Sequence, residues 1–280
     1  MTAIALTLGQ RPDEAGPPIG AGPTSYSEEV TARLSADAAQ IIARYPVARS
    51  ALLPLLHLVQ SQDGYLTPAG IAFCAGQLAL TPAEVTAVAT FYSMYRRTPT
   101  GKYLVGVCTN TLCAVMGGDA ILEILQDHLG VHAGQSTADG SITLEHIECN
   151  AACDFAPVIM VNWEFFDNQT PSTARDLVDT LRSGTQVTPS RGAPLCTFKQ
   201  TARILAGFPD ERPGANDGAP GQATLAGLRI ARERGMTAPE SGTPARVQTP
   251  DDERLTEESV RDQPAPAPSE DLPPRNGDRR

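Results

Sequence analysis

A chain of 280 residues with 41% hydrophobic content has the size and make-up of one or two globular domains. Its formal charge of −10 argues against a nucleic-acid partner, which calls for a basic face. It contains no apolar run of about eighteen residues, so nothing reads as a membrane span, and the apolar start from Met1 to Leu8 lacks the basic flank and small-residue cleavage site of a secretion signal.

Residues 1–24 are rich in Gly, Pro and Thr and read as a disordered arm. Order is expected from Ser27, an N-cap followed by Glu28 and Glu29, whose carboxylates suit the positive end of a helix. Val30, Leu34, Ala38, Ile41 and Ile42 then recur at helical spacing. A second helix is predicted over 48–61. It is apolar over a wide arc, with Pro54 either kinking it or lying in its first turn, and Gly64 ends it. Thr67-Pro68 opens a third helix. Thr81-Pro82-Ala83-Glu84 opens a fourth with a capping box, and that helix carries Val85, Val88, Phe91, Tyr92 and Tyr95. Residues 25–98 thus read as a helical bundle. Phe91, Tyr92 and Tyr95 are either its core or a docking face.

Arg96 to Lys102 is a short basic turn that marks a boundary. Its cations either meet a partner or solvate the link. From 99 to 186 the pattern becomes strand, helix, strand, strand, helix. The strands are Tyr103–Val107, Ile142–Ile147 and Pro157–Asn162, with a turn or a fourth strand in 162–168. The helices start near Gly117-Gly118-Asp119 and at Thr170. Gly117 and Gly118 are read as turn and capping residues. Residues 187–236 form an irregular extension with short helices in 191–206 and 223–233, and 237–280 reads as a disordered tail. The fold class is α+β: an N-terminal helical bundle, then an α/β domain, then a long irregular C-terminal extension.

Four of the six cysteines form two pairs, Cys108-Thr-Asn-Thr-Leu-Cys113 and Cys149-Asn-Ala-Ala-Cys153. Each pair follows a predicted strand. Neighbouring strands would therefore bring four soft thiolates to one place, the ligand set of a [2Fe–2S] cluster. Structural zinc sites more often space their ligands by two residues, and the Cys-x-x-Cys of a dithiol redox site is absent. Iron–sulfur is therefore favoured over zinc and over structural or redox thiols. Cys74 lies on an apolar helical face and reads as a buried small hydrophobe. Cys196 reads as a free thiol. His57, His128 and His132 have no second ligand at metal spacing, and His146 is superfluous beside four cysteines. Glu145, Glu148 and Asp154 flank the second pair, either as solvated charges or as charges that lower a cluster potential. No P-loop or Gly-x-Gly-x-x-Gly is present, so the chain reads as an electron relay without a complete active site of its own.

The stretch from Ala87 to Cys113, with Ala87-Val-Ala-Thr-Phe-Tyr and Val107-Cys-Thr-Asn-Thr-Leu-Cys, resembles the 24-kilodalton subunit of respiratory complex I, the E subunit of the bacterial NADH–quinone oxidoreductase. Glu148 to Trp163 resembles it too. The resemblance covers about residues 25–185. It implies a thioredoxin-like domain whose [2Fe–2S] cluster is held by Cys108, Cys113, Cys149 and Cys153. It also implies electron exchange with the FMN of a flavoprotein subunit that binds NADH, beside the other peripheral-arm subunits. The chain would then sit in the cytoplasm, peripheral to the inner face of the cell membrane. An equivalent subunit of an NAD-linked formate dehydrogenase or bidirectional hydrogenase is the alternative. Many relatives carry Leu-Gly-Ala within the second pair where this chain has Asn150-Ala151-Ala152, a departure that matters only if the backbone there needs positive φ. The extension over 187–236 is expected to wrap a partner subunit.

Overall fold

The computed structural model describes residues 19–215 and 222–236. Most of the N-terminal arm and the whole 237–280 tail lie outside the described residues. The chain divides into two compact units at 219/220.

The first unit begins with helices. α1 spans Glu28–Ile42, and Ser27 Oγ accepts from the Val30 N–H at 3.3 Å. The helix expected over 48–61 starts as a 3-10 turn, Ala48–Ala51, before α2, Leu52–Asp63. Pro54 lies in the first turn of α2, where a missing N–H leaves few bonds unmade. Gly64 closes α2 in the left-handed conformation. α2 is the hub: Leu55, Leu56, Leu58 and Val59 are fully buried. α3, Pro68–Leu78, is capped by Thr67, and α4, Pro82–Phe91, carries the complete Thr81/Glu84 capping box.

α4 stops at Phe91, short of the Tyr95 expected from spacing, because tertiary bonds pull the chain out of the helix. Gln60, fully buried on α2, donates to the Met94 carbonyl at 3.1 Å and accepts from the Arg96 N–H at 2.7 Å. Tyr95 turns inward, donates to the Leu53 carbonyl at 2.9 Å and packs at a tilt against the His57 ring, 4.8 Å between centroids. Phe91 is left 79% exposed and Tyr92 is exposed beside it.

β1, Tyr103–Cys108, is the middle strand of a five-stranded sheet of order β2-β3-β1-β4-β5. β3, Ile142–Ile147, pairs with it in parallel, and β4, Ile159–Val161, pairs antiparallel. The parallel pair needs a crossover, supplied by α6, Gly118–Leu129. β4 turns into β5, Glu164–Phe166, through Asn162 and Trp163, both at positive φ. That settles the expected turn as a hairpin. β2, Gln135–Ser136, is a two-residue edge strand paired antiparallel with β3. α7, Pro171–Arg182, packs on α6, and both pack on the sheet through Ile121, Leu125, Ala174 and Val178 against Val105, Ile142, Leu144 and Ile159. The α+β class is as expected, and a parallel β1–β3 pair with an antiparallel β4 suits a thioredoxin-like domain.

Arg96 is engaged inside the chain by an ion pair to Glu145 of β3. Arg97 donates to the Thr90 carbonyl at 3.1 Å, and the Lys102 ammonium stands 5.3 Å from the Tyr103 ring.

Beyond the sheet, α8, Phe198–Leu205, lies against α2. The Phe198 N–H donates to the Lys102 carbonyl at 2.9 Å, Lys199 Nζ donates to the Gln62 carbonyl at 2.9 Å, and Arg203 grips Asp37 with both guanidinium nitrogens at 2.7 and 3.2 Å. The first part of the extension thus closes on this chain's own surface. In the second unit, α9, Gln222–Glu233, carries an Arg229–Glu233 pair one turn apart, at 4.0 Å.

Among the described residues no single helix is long and apolar enough to cross a membrane. α3 and α4 together reach the required length and composition only as a pair bent by 115°, and their apolar residues Ile71, Cys74, Leu78 and Val85 fill the bundle core.

Candidate metal centre

The parallel register decides where the cysteines go. Cys108, the last residue of β1, is aligned with Ile147, the last of β3. Both chains therefore leave the sheet at the same edge, and both cysteine segments start there. Cys113 lies in α5, Thr111–Val115, so the expected loop is partly helical. Cys149 follows β3 by two residues, and Cys153 opens a 3-10 turn, Cys153–Phe155.

All four sulfurs share one neighbourhood. Cys149 Sγ and Cys153 Sγ are 3.4 Å apart. The Cys108 thiol is pushed up by burial first, then by the Cys113 and Cys149 thiols, while the Asn110 backbone N–H pulls it back. The Cys153 thiol is pushed up by its hydrogen bond with Cys149 first, then by slight desolvation, then by the charges of Cys149 and Cys108. Each thiolate formed raises the cost of the next, so this donor set suits a cationic centre that takes up several thiolates together. Among the described residues no three His, Cys, Asp or Glu side chains are placed to hold one metal ion. A two-iron centre asks for less at each point, since four thiolates are divided between two irons. Two pairs therefore fit it.

The site has a wet side and a dry side. Cys108 and Cys113 are buried, Cys153 is intermediate and Cys149 is exposed. Cys108 and Cys113 share an apolar cluster with Ala152, Ala156 and Val158, and Ile147 and Phe165 pack against it. Leu112, Val115, Met116 and Phe155 are exposed large apolar side chains on the segments that carry the cysteines.

Two backbone features shape the loops. Gly118 is more than a helix-start residue: a Cβ there would collide with the Cys108 carbonyl oxygen and lie 2.9 Å from that of Cys113. Ala151 sits at φ +56°, so the loop does need the left-handed conformation, which glycine adopts more easily than alanine. The Ala151 N–H donates to Cys149 Sγ at 3.3 Å. The conformation costs alanine about 1–2 kcal/mol, and glycine's extra unfolded-state freedom takes back about 0.5–1 kcal/mol. Ala151→Gly is therefore expected to stabilise the chain by about 0.5–1 kcal/mol, seen as a higher urea midpoint at unchanged slope. A lower midpoint would contradict the strain.

The other candidates lie elsewhere. Cys74 is fully buried in the bundle, and burial drives its thiol well above the usual range. Cys196 is a free thiol 3.2 Å from the Thr201 hydroxyl. His57 is buried, and desolvation lowers its pKa to about 4. His128 Nε2 meets Asp179 at 2.6 Å across α6 and α7. His132 and His146 are exposed or partly so, and neither belongs to a metal-holding group among the described residues. Of the flanking acids, Glu145 is taken by Arg96, whereas Glu148 and Asp154 are exposed.

Residues 38–182 match the family described as thioredoxin-like [2Fe-2S] ferredoxin. The NADH-quinone oxidoreductase E subunit of Mycobacterium tuberculosis is 65% identical over 237 residues, covering 84% of this chain and 94% of that protein. Its counterpart of the same name from Rickettsia conorii is 39% identical over 149 residues, covering 52% of this chain and 89% of that protein. NADH-quinone oxidoreductase subunit 2 of Thermus thermophilus is 37% identical over 148 residues, covering 52% and 82%. The mycobacterial match is long enough to take in part of the chain outside the family core. By the extent of these matches and the two-pair geometry at one sheet edge, the chain belongs to the thioredoxin-like [2Fe–2S] ferredoxin family.

Proposed function

We propose that Cys108, Cys113, Cys149 and Cys153 hold the [2Fe–2S] cluster, one pair to each iron, and that the cluster exchanges electrons with the FMN of a flavoprotein subunit that binds NADH. The chain is the [2Fe–2S] electron-transfer subunit of NADH-quinone oxidoreductase, a part of an enzyme complex and a partner of its other subunits. In this reading it lies on the cytoplasmic side, peripheral to the membrane. An equivalent subunit of a formate dehydrogenase or hydrogenase is not favoured beside NADH-quinone oxidoreductase relatives that are matched over 94% of their length.

The observation that carries the ligand assignment is the Cys108–Ile147 alignment, which brings both pairs to one edge. When bound, a [2Fe–2S] cluster takes up and gives back an electron. The protein's part is positional and electrostatic. The Ala151 N–H on Cys149 Sγ and the Asn110 backbone N–H beside Cys108 offset negative charge on sulfur. The apolar wall behind Cys108 and Cys113 keeps water from that side. The exposed Cys149, and the exposed Leu112, Val115 and Met116 around Cys113, are where a redox partner can come close.

The test uses the full chain reduced with dithionite, freed of excess reductant and mixed anaerobically, at two chains per flavin, with the FMN-loaded flavoprotein subunit. Loss of the cluster's paramagnetic signal together with bleaching of the flavin is expected. A stable complex with neither change would sink the proposed electron exchange, and absence of any complex would sink the partner.

A further inference from the structure

Past the end of the matched core, at residue 182, the chain returns to the cysteine site. The Ser190 N–H donates to the Phe165 carbonyl at 2.8 Å, and the Asp167 N–H donates back to Ser190 Oγ at 2.8 Å. This small ladder on the end of β5 delivers the next residue, Arg191, to two aromatic rings. Its guanidinium lies 5.0 Å from the Phe155 ring and 4.7 Å from the Phe165 ring, and Nη2 donates to Asp167 Oδ1 at 2.6 Å. Phe155 ends the 3-10 turn that Cys153 begins. Phe165 packs against the apolar cluster formed by Cys108, Cys113, Ala152, Ala156 and Val158. The turn is also tied to the same strand end, through Asn168 N–H to the Phe155 carbonyl at 2.8 Å and Gln169 N–H to the Pro157 carbonyl at 2.9 Å. One side chain from the extension thus contacts a ring on the Cys153 turn and a ring packed on the cluster that contains Cys108 and Cys113.

We infer that Arg191 is a positioning residue for the metal centre: stacked on Phe155 and Phe165 and paired with Asp167, it holds the Cys153 turn against the Cys108–Cys113 wall. The inference rests on the ligand set proposed above. Arginine suits the task where lysine does not, because a flat, weakly hydrated cation can lie on aromatic faces while its edge donates to a carboxylate. Asp167 is nearly buried while Arg191 keeps one side in solvent, so the ion pair is modest and the two ring contacts carry much of the hold.

The experiment compares the cluster-loaded full chain with Arg191→Ala, Arg191→Lys and a control, Arg203→Ala. Arg203 is also a stacked arginine, 3.9 Å from the Phe208 ring and paired with Asp37, but it sits on the helical side. The readouts are the rate of iron release to a chelator, the spectrum of the reduced cluster, and thermal unfolding. Arg191→Ala is expected to release iron about tenfold faster with a shifted spectrum, in keeping with two stacked contacts and an ion pair removed. Arg191→Lys recovers less than half of that loss, and Arg203→Ala releases at the wild-type rate. Wild-type release and spectrum in Arg191→Ala would overturn the inference. So would an equal acceleration in Arg203→Ala, which would mark the effect as loss of global stability. Should Arg191→Ala not fold, Arg191→Lys at wild-type release and spectrum overturns it alone. Cys153→Ser in the same assay separates the two readings: if that variant keeps its iron, the ligand set is wrong, whereas if it loses iron while Arg191→Ala does not change, only the positioning role falls.

Discussion

Cys153→Ser is expected to strip the chain of its cluster. A serine hydroxyl is hardly ionised at neutral pH and offers a hard oxygen where iron–sulfur chemistry takes a soft thiolate. With one ligand gone, its iron keeps only one protein donor. Because binding free energy of a thiolate site is large, loss of a ligand is expected to lower iron content at least tenfold. Iron and acid-labile sulfide per chain, with the visible spectrum, measure it. The fold should survive, since Cys153 is neither in the bundle nor in the sheet core and its side chain is only partly enclosed. Cys149→Ser should behave the same way, its side chain being exposed. Cys196→Ser is the matched control, a thiol outside the group, and should keep full iron content. Wild-type iron in Cys153→Ser, or its loss in Cys196→Ser, would refute the assignment.

Gly118→Ala is expected to damage the site without touching a ligand. The added methyl would run into backbone, the carbonyl oxygens of Cys108 and Cys113, and backbone at the meeting of β1, α5 and α6 has little room to give. Overpacking of this kind costs about 1–3 kcal/mol and sometimes more, and here the upper end applies because no flexible side chain can swing aside. Relief of the clash moves Cys108 away from Cys113, so cluster content should fall along with the urea midpoint. The matching change at Gly76, on α3 with nothing near its missing Cβ, should be neutral or slightly stabilising. A Gly118→Ala chain with wild-type stability and full iron would show that the two carbonyls are free to move apart.

Local sequence chemistry is a sound guide wherever one short stretch carries both the signal and its partner. Ser27, Thr67, Thr81, Thr170 and the left-handed Gly64 act as their sequence context predicts, because a cap and the amide it serves lie within three or four residues. The strand runs before Cys108 and Cys149 are legible for the same reason. Sequence and structure part where distant segments intervene. Helical spacing carries α4 through Tyr95, but Gln60 on α2 captures the backbone at Met94 and Arg96. β2 has only two residues and no apolar alternation, so nothing but pairing with β3 defines it. Gly118 looks like a capping residue because sequence shows no carbonyl 2.9 Å from an absent atom.

The sequence by itself determined the kind of chemistry: four thiols in two pairs after two strands, with spacings that favour iron over zinc. Ligand type and spacing are covalent facts and need no fold. Tertiary structure alone decided that β1 and β3 run parallel in a register that places both pairs at one edge, that the loop requires positive φ at Ala151, and that Arg191 reaches Phe155 and Phe165 from the extension. Strand register and long-range stacking are set by which apolar faces the whole chain can bury together, a condition no local stretch contains.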